Sequence, residues 1–250
     1  MVFGIDVFAR HFHDFENRYV LIGGTACQLV LSEQGQSFRA TKDLDIVIVA
    51  ETVDAAYIAR FLEFVELGGY RHISRSSGNR QYYRFDAPDQ AGYPAMLELF
   101  SRRPETLENV DTHLGRVRVE DAPHSLSAIL LDDDYYRLLM QGVTVIADVP
   151  VLDLEHLPTF KMKAWLELTA TRARGTHVNS GDIAKHKNDV FRLVSVIEPD
   201  TRVLLPASVR NDVRAFLDSV PLTSNDLVNL GIRGYSPDEI RELIAEIYSV

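Results

Sequence analysis

The sequence predicts an α/β (α+β) domain over residues 1–157, a mixed sheet with flanking helices, followed by a helical C-terminal domain over 158–250. Three observations predict it. Strand-like and helix-like runs alternate through the first two-thirds. Near Pro158 the pattern changes to long helical segments broken by Gly, Pro and Asn. Forty-six per cent of the 250 residues are apolar, enough to build real cores.

The elements follow in order. Asp6–Arg18 reads as an amphipathic helix with Val7, Phe8, Phe12 and Phe15 on one side. Tyr19–Ile22 is a short apolar run stopped by Gly23-Gly24, after which Ala26, Leu29 and Val30 mark a second helix. Leu44–Val49 is apolar almost throughout, as in a strand covered on both faces. Thr52 is the expected N-cap of a helix running to Leu67 and ended by Gly68-Gly69. Arg80–Phe85, Ala95–Phe100, Arg116–Glu120 and Val143–Ala147 have strand composition, and Ser125–Gln141 reads as helix. Beyond Pro158, helices are expected over 159–174, 183–197, 207–218 and 237–248. Ser236-Pro237-Asp238-Glu239 opens the last of these.

Charge and cysteine content narrow the class. Thirty-six acidic against 26 basic residues give a net charge of −10, which disfavours tight non-specific nucleic-acid binding. The single Cys27 forms no internal disulfide and no cysteine-based zinc site. No apolar run approaches the roughly 18 residues of a membrane span. The first 20 residues carry charge every few positions and do not read as a signal peptide, so the expected location is the cytoplasm.

The chemistry concentrates in Ile22-Gly23-Gly24-Thr25, a helix, and then Arg39-Ala40-Thr41-Lys42-Asp43-Leu44-Asp45. Glycines opening a helix let backbone N–H groups approach a phosphate, and the helix N-terminus adds positive potential. Strand side chains alternate, so Asp43 and Asp45 share one face. Two adjacent carboxylates repel unless a cation lies between them, and oxygen ligands suit Mg²⁺, which also holds nucleotide phosphates. A phosphate cradle and a carboxylate-held metal are the parts that phosphoryl or nucleotidyl transfer needs.

These residues resemble the nucleotidyltransferase (polymerase-β-like) superfamily. Within it, Arg39-x-Thr41-x-Asp43-Leu44-Asp45 resembles the AbiEii-type toxins of type IV toxin–antitoxin systems. Leu157–Ala164, with Lys161, and Lys185–Val190, with Asp189, are similar to later segments of that family. Where the family's later motif has its first Asp, this chain has His186.

The resemblance implies a nucleotidyltransferase-fold sheet, an NTP substrate, Mg²⁺ (or Mn²⁺), and transfer of NMP to an RNA hydroxyl, with a tRNA 3′ end as acceptor and a cognate antitoxin as partner. It implies Asp43, Asp45, Lys161 and Asp189 as catalytic residues. Gly23, Gly24, Thr25, Thr41, Lys42 and Lys187 would bind the nucleotide. Glu98, in the apolar run Ala95–Leu99, would join Asp43 and Asp45 on the metal. Two alternatives stand beside it: nucleotidylation of a protein or small molecule, and a catalytically silent nucleotide-binding module.

Other features read more plainly. The periodicity of 157–168 places Lys161 among apolar residues and turns Lys163 outward towards Glu167. On 183–197 it places His186 and Lys187 near the apolar face and Asp189 at its flank. Arg71, Arg75, Arg80 and Arg84, with Tyr82 and Tyr83, could stack bases and hold phosphates of an RNA, but read first as a solvated hairpin. Asp132-Asp133-Asp134 reads as a charged helix face, and Cys27 as core.

Overall fold

The computed structural model describes residues 3–76, 81–102, 118–120, 129 and 132–250. The chain divides into two compact units: 1–131 with 143–152, and 132–142 with 153–250. The polypeptide therefore passes from the first unit to the second and back before finally leaving the first.

The first unit contains α1 (Ile5–His11), β1 (Tyr19–Ile22), α2 (Gly23–Glu33), β2 (Asp43–Ile48), α3 (Ala55–Gly68), β3 (His72–Ser76), β4 (Gln81–Asp86), β5 (Met96–Ser101) and β6 (Arg118–Glu120). Later in the chain come α4 (Asp133–Gln141), which belongs to the second unit, and then the hairpin β7 (Val143–Ile146) and β8 (Val149–Leu152). Among the described residues the sheet has eight strands in the order β6-β3-β4-β5-β2-β1-β8-β7. It is mixed: β2 runs antiparallel to β1 and parallel to β5, and β5 runs antiparallel to β4.

One face of this sheet is packed by α1 and α3. Tyr19, Leu21, Leu44, Ile46, Ile48, Leu97, Leu99, Tyr83 and Phe85 alternate onto it, and all are buried. Aromatic rings fill the layer above. Phe61 meets Phe85 at 5.5 Å and Phe8 meets Tyr19 edge-on at 5.4 Å, while Phe12 touches Phe8, Tyr57 and Phe64. Such pairs add roughly 0.5–1.5 kcal/mol each beyond the apolar area they bury.

Several boundaries differ from expectation for local reasons. The first helix stops at His11, because Asp14 takes a left-handed conformation (φ 77°); a 3₁₀ turn, Glu16–Arg18, follows. Asp54, not Thr52, caps α3 by accepting from Tyr57 N–H at 2.9 Å, and Thr52 instead donates to backbone carbonyls of Asn17 and Val49. Asp132 is the N-cap of α4, with Asp133 and Asp134 in its first turn, so this run anchors a helix start. Of the expected helix 125–141, residues 125–128, 130 and 131 lie outside the described residues, as do Arg80 and residues 116–117 of the expected strands. The strand β8 is buried and pairs parallel to β1, with Pro150 opposite Val145 of β7.

The second unit holds α4 together with α5 (Leu157–Ala173), α6 (Ser180–Val194), α7 (Ala207–Ser219), α8 (Ser224–Asn229) and α9 (Pro237–Tyr248). Its core joins Phe160 and Trp165 of α5, Phe191 of α6 and Phe216 of α7. Trp165 stands edge-on to Phe216 at 5.3 Å. Capping boxes start α8 (Thr223 with Asp226) and α9 (Ser236 with Glu239), the latter with Pro237 in its first turn.

Candidate functional site

The site residues of the first unit lie on the sheet face opposite the aromatic layer. Register aligns Arg84 of β4, Glu98 of β5, Asp45 of β2 and Ile22 of β1 as neighbours across four strands. Asp43 lies one row away, level with Met96 and, beyond it, Asp86. Both aspartates are half-buried. The expected sharing of one face by Asp43 and Asp45 thus extends across strands distant in sequence.

Gly23 turns the strand into the helix. Its φ of +70° is left-handed, and a Cβ there would overlap the Asp45 carboxylate, lying 2.6 Å from Cγ. Only glycine allows that carboxylate to rest against the start of α2. At Gly24 a Cβ would lie 2.9 Å from Thr41 Oγ1 and 3.3 Å from an Arg39 guanidinium nitrogen. Ile22, at the N-cap, supplies no side-chain acceptor to the first turn. The start of α2 is therefore a point of close backbone approach, flanked by a carboxylate, a hydroxyl and a cation.

Thr25 lies in the first turn of α2. Its side chain is fully buried, and its hydroxyl donates to the Asp43 carbonyl at 2.7 Å, fastening the helix start to the strand that carries both aspartates. Thr41 is buried, and its N–H donates to Gln28 Oε1 at 3.3 Å, which ties the segment before β2 to α2. Lys42 is exposed. Arg39, whose guanidinium lies 5.0 Å from the centre of the Phe38 ring, is a neighbour of Gly24 that residue spacing alone did not single out.

Glu98 is nearly buried and bound by Arg84. Nε and Nη2 both donate to Glu98 Oε1, at 3.0 and 2.8 Å. Arg84 thus belongs to this face and not to a solvated hairpin. Strand alternation was the available signal, since Tyr83 and Phe85 point to the other side. Among the described residues, no three His, Cys, Asp or Glu side chains gather into a group that could hold a metal ion. Asp43 and Asp45 nonetheless provide the hard oxygen donors that suit Mg²⁺, which commonly takes one or two carboxylates and completes its shell with water and phosphate.

In the second unit, Lys161 and Asp189 are brought together. Lys161 Nζ donates to Asp189 Oδ2 at 3.0 Å, with side chains only 5% and 1% exposed. Asp189 therefore sits inside the unit and not at a helix flank. Lys187 lies 3.5 Å from Asp226 and donates to the Pro221 carbonyl at 3.3 Å. Lys163 pairs with Asp212 at 3.1 Å, where the expected partner was Glu167, and lies over the Tyr135 ring. The Tyr135 hydroxyl donates to the same aspartate at 3.0 Å. Burial, followed by the Asp212 charge, raises the Tyr135 pKa far above its ordinary value.

Among the described residues, no helix is long and apolar enough to cross a membrane. No family model matches the chain, and no curated protein sequence does. Among solved structures, it is similar to an antigenic nucleotidyltransferase-like protein from Paracoccidioides brasiliensis. The identity is 15%, covering 90% of this chain and 89% of that one, with a TM-score of 0.44. At that distance the functional reading rests on the chain's own residues.

Proposed function

We propose that this chain is a metal-dependent nucleotidyltransferase that moves NMP from an NTP to a hydroxyl acceptor. The observation that carries the reading is the Asp45 carboxylate resting against Gly23 at the start of α2, with Asp43 on the same strand face. Asp43 and Asp45 would hold Mg²⁺ or Mn²⁺, which would supply positive charge against the triphosphate. The backbone of Gly23 and Gly24 receives phosphate oxygens at the helix N-terminus. Thr41 and Arg39 flank that position, and Lys42 adds an exposed cation. Thr25 orients β2 against the helix. Lys161 and Asp189 enter the reading as the buried pair that fastens α5 to α6, and Lys187 as a tie to the α8 start.

The finer assignment is an AbiEii-type toxin that acts on RNA at a tRNA 3′ end and is held in check by an antitoxin. It is supported by the motif running from Arg39 to Asp45. The net charge of −10 favours the second reading, nucleotidylation of a protein or small molecule.

The test incubates the purified protein with total bacterial RNA, Mg²⁺ and each α-³²P-labelled NTP in turn, beside Asp43→Ala and Asp45→Ala. Label in tRNA-sized bands that both variants lose establishes the RNA acceptor. Label only in protein or small molecules moves the assignment to the second reading. Absence of transfer together with metal-independent nucleotide binding would leave a silent binding module.

A further inference from the structure

Glu98 stands beside Asp45 on the adjacent parallel strand, its Cα the direct partner of Asp45. By position it would be a third carboxylate for a metal held at Asp43 and Asp45. Its chemistry is already directed elsewhere. Two N–H groups of Arg84 converge on one oxygen, Oε1, and the Glu98 side chain is 10% exposed against 25% for Arg84. Charge-assisted bonds of this kind, away from bulk water, are about twice as strong as neutral ones. A divalent ion on the same carboxyl group would stand close to a guanidinium, so like charges would meet where water screens them least.

We infer that Arg84 is a positioning residue that withholds Glu98 from the metal, leaving Asp43 and Asp45 as a two-carboxylate site. One further observation agrees. No three acidic, His or Cys side chains gather as metal ligands among the described residues. Arg84 and Glu98 then fix the edge of the site as a neutral pair, and Glu98 serves neither as metal ligand nor as general base.

This inference rests on the metal-dependent reading proposed above, and Mn²⁺ alone is the probe that separates the two. Mn²⁺ binding is followed by the loss of the free-ion EPR signal in wild type, Asp45→Asn, Glu98→Gln, Arg84→Met and the double variant Arg84→Met/Glu98→Gln. Each variant is first checked for a cooperative thermal transition. Asp45→Asn is expected to weaken binding at least about tenfold, and Glu98→Gln, which leaves the Arg84 guanidinium without its carboxylate, to weaken it by clearly less. Arg84→Met releases the Glu98 carboxylate next to Asp45 and is expected to tighten binding by about tenfold. The double variant is expected to return to the wild-type value. A merely structural Arg84 would give no such gain.

Glu98→Gln binding as weakly as Asp45→Asn overturns the inference, and so does the absence of a gain in a folded Arg84→Met. If Arg84→Met alone does not fold, the charge-balanced double variant decides: binding as weak as that of Asp45→Asn overturns the inference. Failure of wild type to bind Mn²⁺ saturably overturns the metal-dependent reading and the inference with it.

Discussion

Lys161 and Asp189 form an ion pair 3.0 Å long between α5 and α6, with both charges removed from water. Desolvating two ions is costly, and their attraction offsets that cost only while both remain. Lys161→Met is therefore expected to lower unfolding free energy by about 3–5 kcal/mol, because it leaves Asp189 buried with its lysine gone. Lys161→Met/Asp189→Leu should regain most of that loss. Urea unfolding of the two variants measures the difference, and equal destabilisation would show that the pair is not the source.

Gly23 and Gly35 separate backbone strain from steric conflict. Both are left-handed, with φ of 70° and 68°, but a Cβ at Gly35 meets nothing within 4 Å, whereas one at Gly23 strikes Asp45. Gly35→Ala is expected to cost about 1–2 kcal/mol of stability and leave Mg²⁺-dependent nucleotide binding intact. Gly23→Ala should carry that same cost and also displace the Asp45 carboxylate, weakening nucleotide binding at least about tenfold. Calorimetric titration with a non-hydrolysable NTP in Mg²⁺ distinguishes them.

Among the described residues, the hydroxyls of Tyr19 and Tyr57 in the aromatic layer meet no hydrogen-bond partner, on rings 6.2 Å apart. Burial raises both pKa values far above the ordinary phenol range, so both stay protonated. Tyr57→Phe keeps the ring contacts and removes a buried polar group, and should raise stability by about 1 kcal/mol. The thermal midpoint of the single variant tests this; a fall would reveal a partner for the hydroxyl.

Asp54, Asp226 and Glu239 accept backbone N–H bonds at helix starts, and those bonds, foremost, hold each pKa below its ordinary value. A carboxylate with a depressed folded pKa stabilises fully above its unfolded value and loses that contribution as pH falls through the folded one. Wild type is thus expected to exceed Asp54→Asn/Asp226→Asn/Glu239→Gln in stability at neutral pH. The gap should close below the unfolded values of 3.8 and 4.5. Urea midpoints from pH 7 to pH 2.5 trace it.

Local chemistry made some of this molecule legible from sequence and hid the rest. Alternation alone put Asp43 and Asp45 on one strand face, and Ser236-Pro237 marked the start of α9, because each signal is complete within a few residues. Asp189 was misplaced by periodicity because its burial depends on a lysine 28 positions earlier, which no single-helix pattern contains. The strand β8 escaped notice because Pro150 interrupts it, and its turn uses Ala147 and Asp148, both at positive φ, where Asn-Gly would have been the obvious signal. Arg84 and Glu98 lie on separate strands, and only register shows that they are partners.

The double passage of the chain between its two units sets an order of events during biosynthesis. Until residues 143–152 leave the ribosome, β1 lacks the neighbour it has in the finished sheet, and its outer backbone groups stay open. Once β6 ends at residue 120, residues 121–152 remain to be made, which takes about 2–6 s at ordinary elongation rates. For that interval the nascent chain exposes an apolar sheet margin to any passing strand. The hairpin that ends the interval thus acts as a late seal, and a chain released early, before it, would be prone to aggregate.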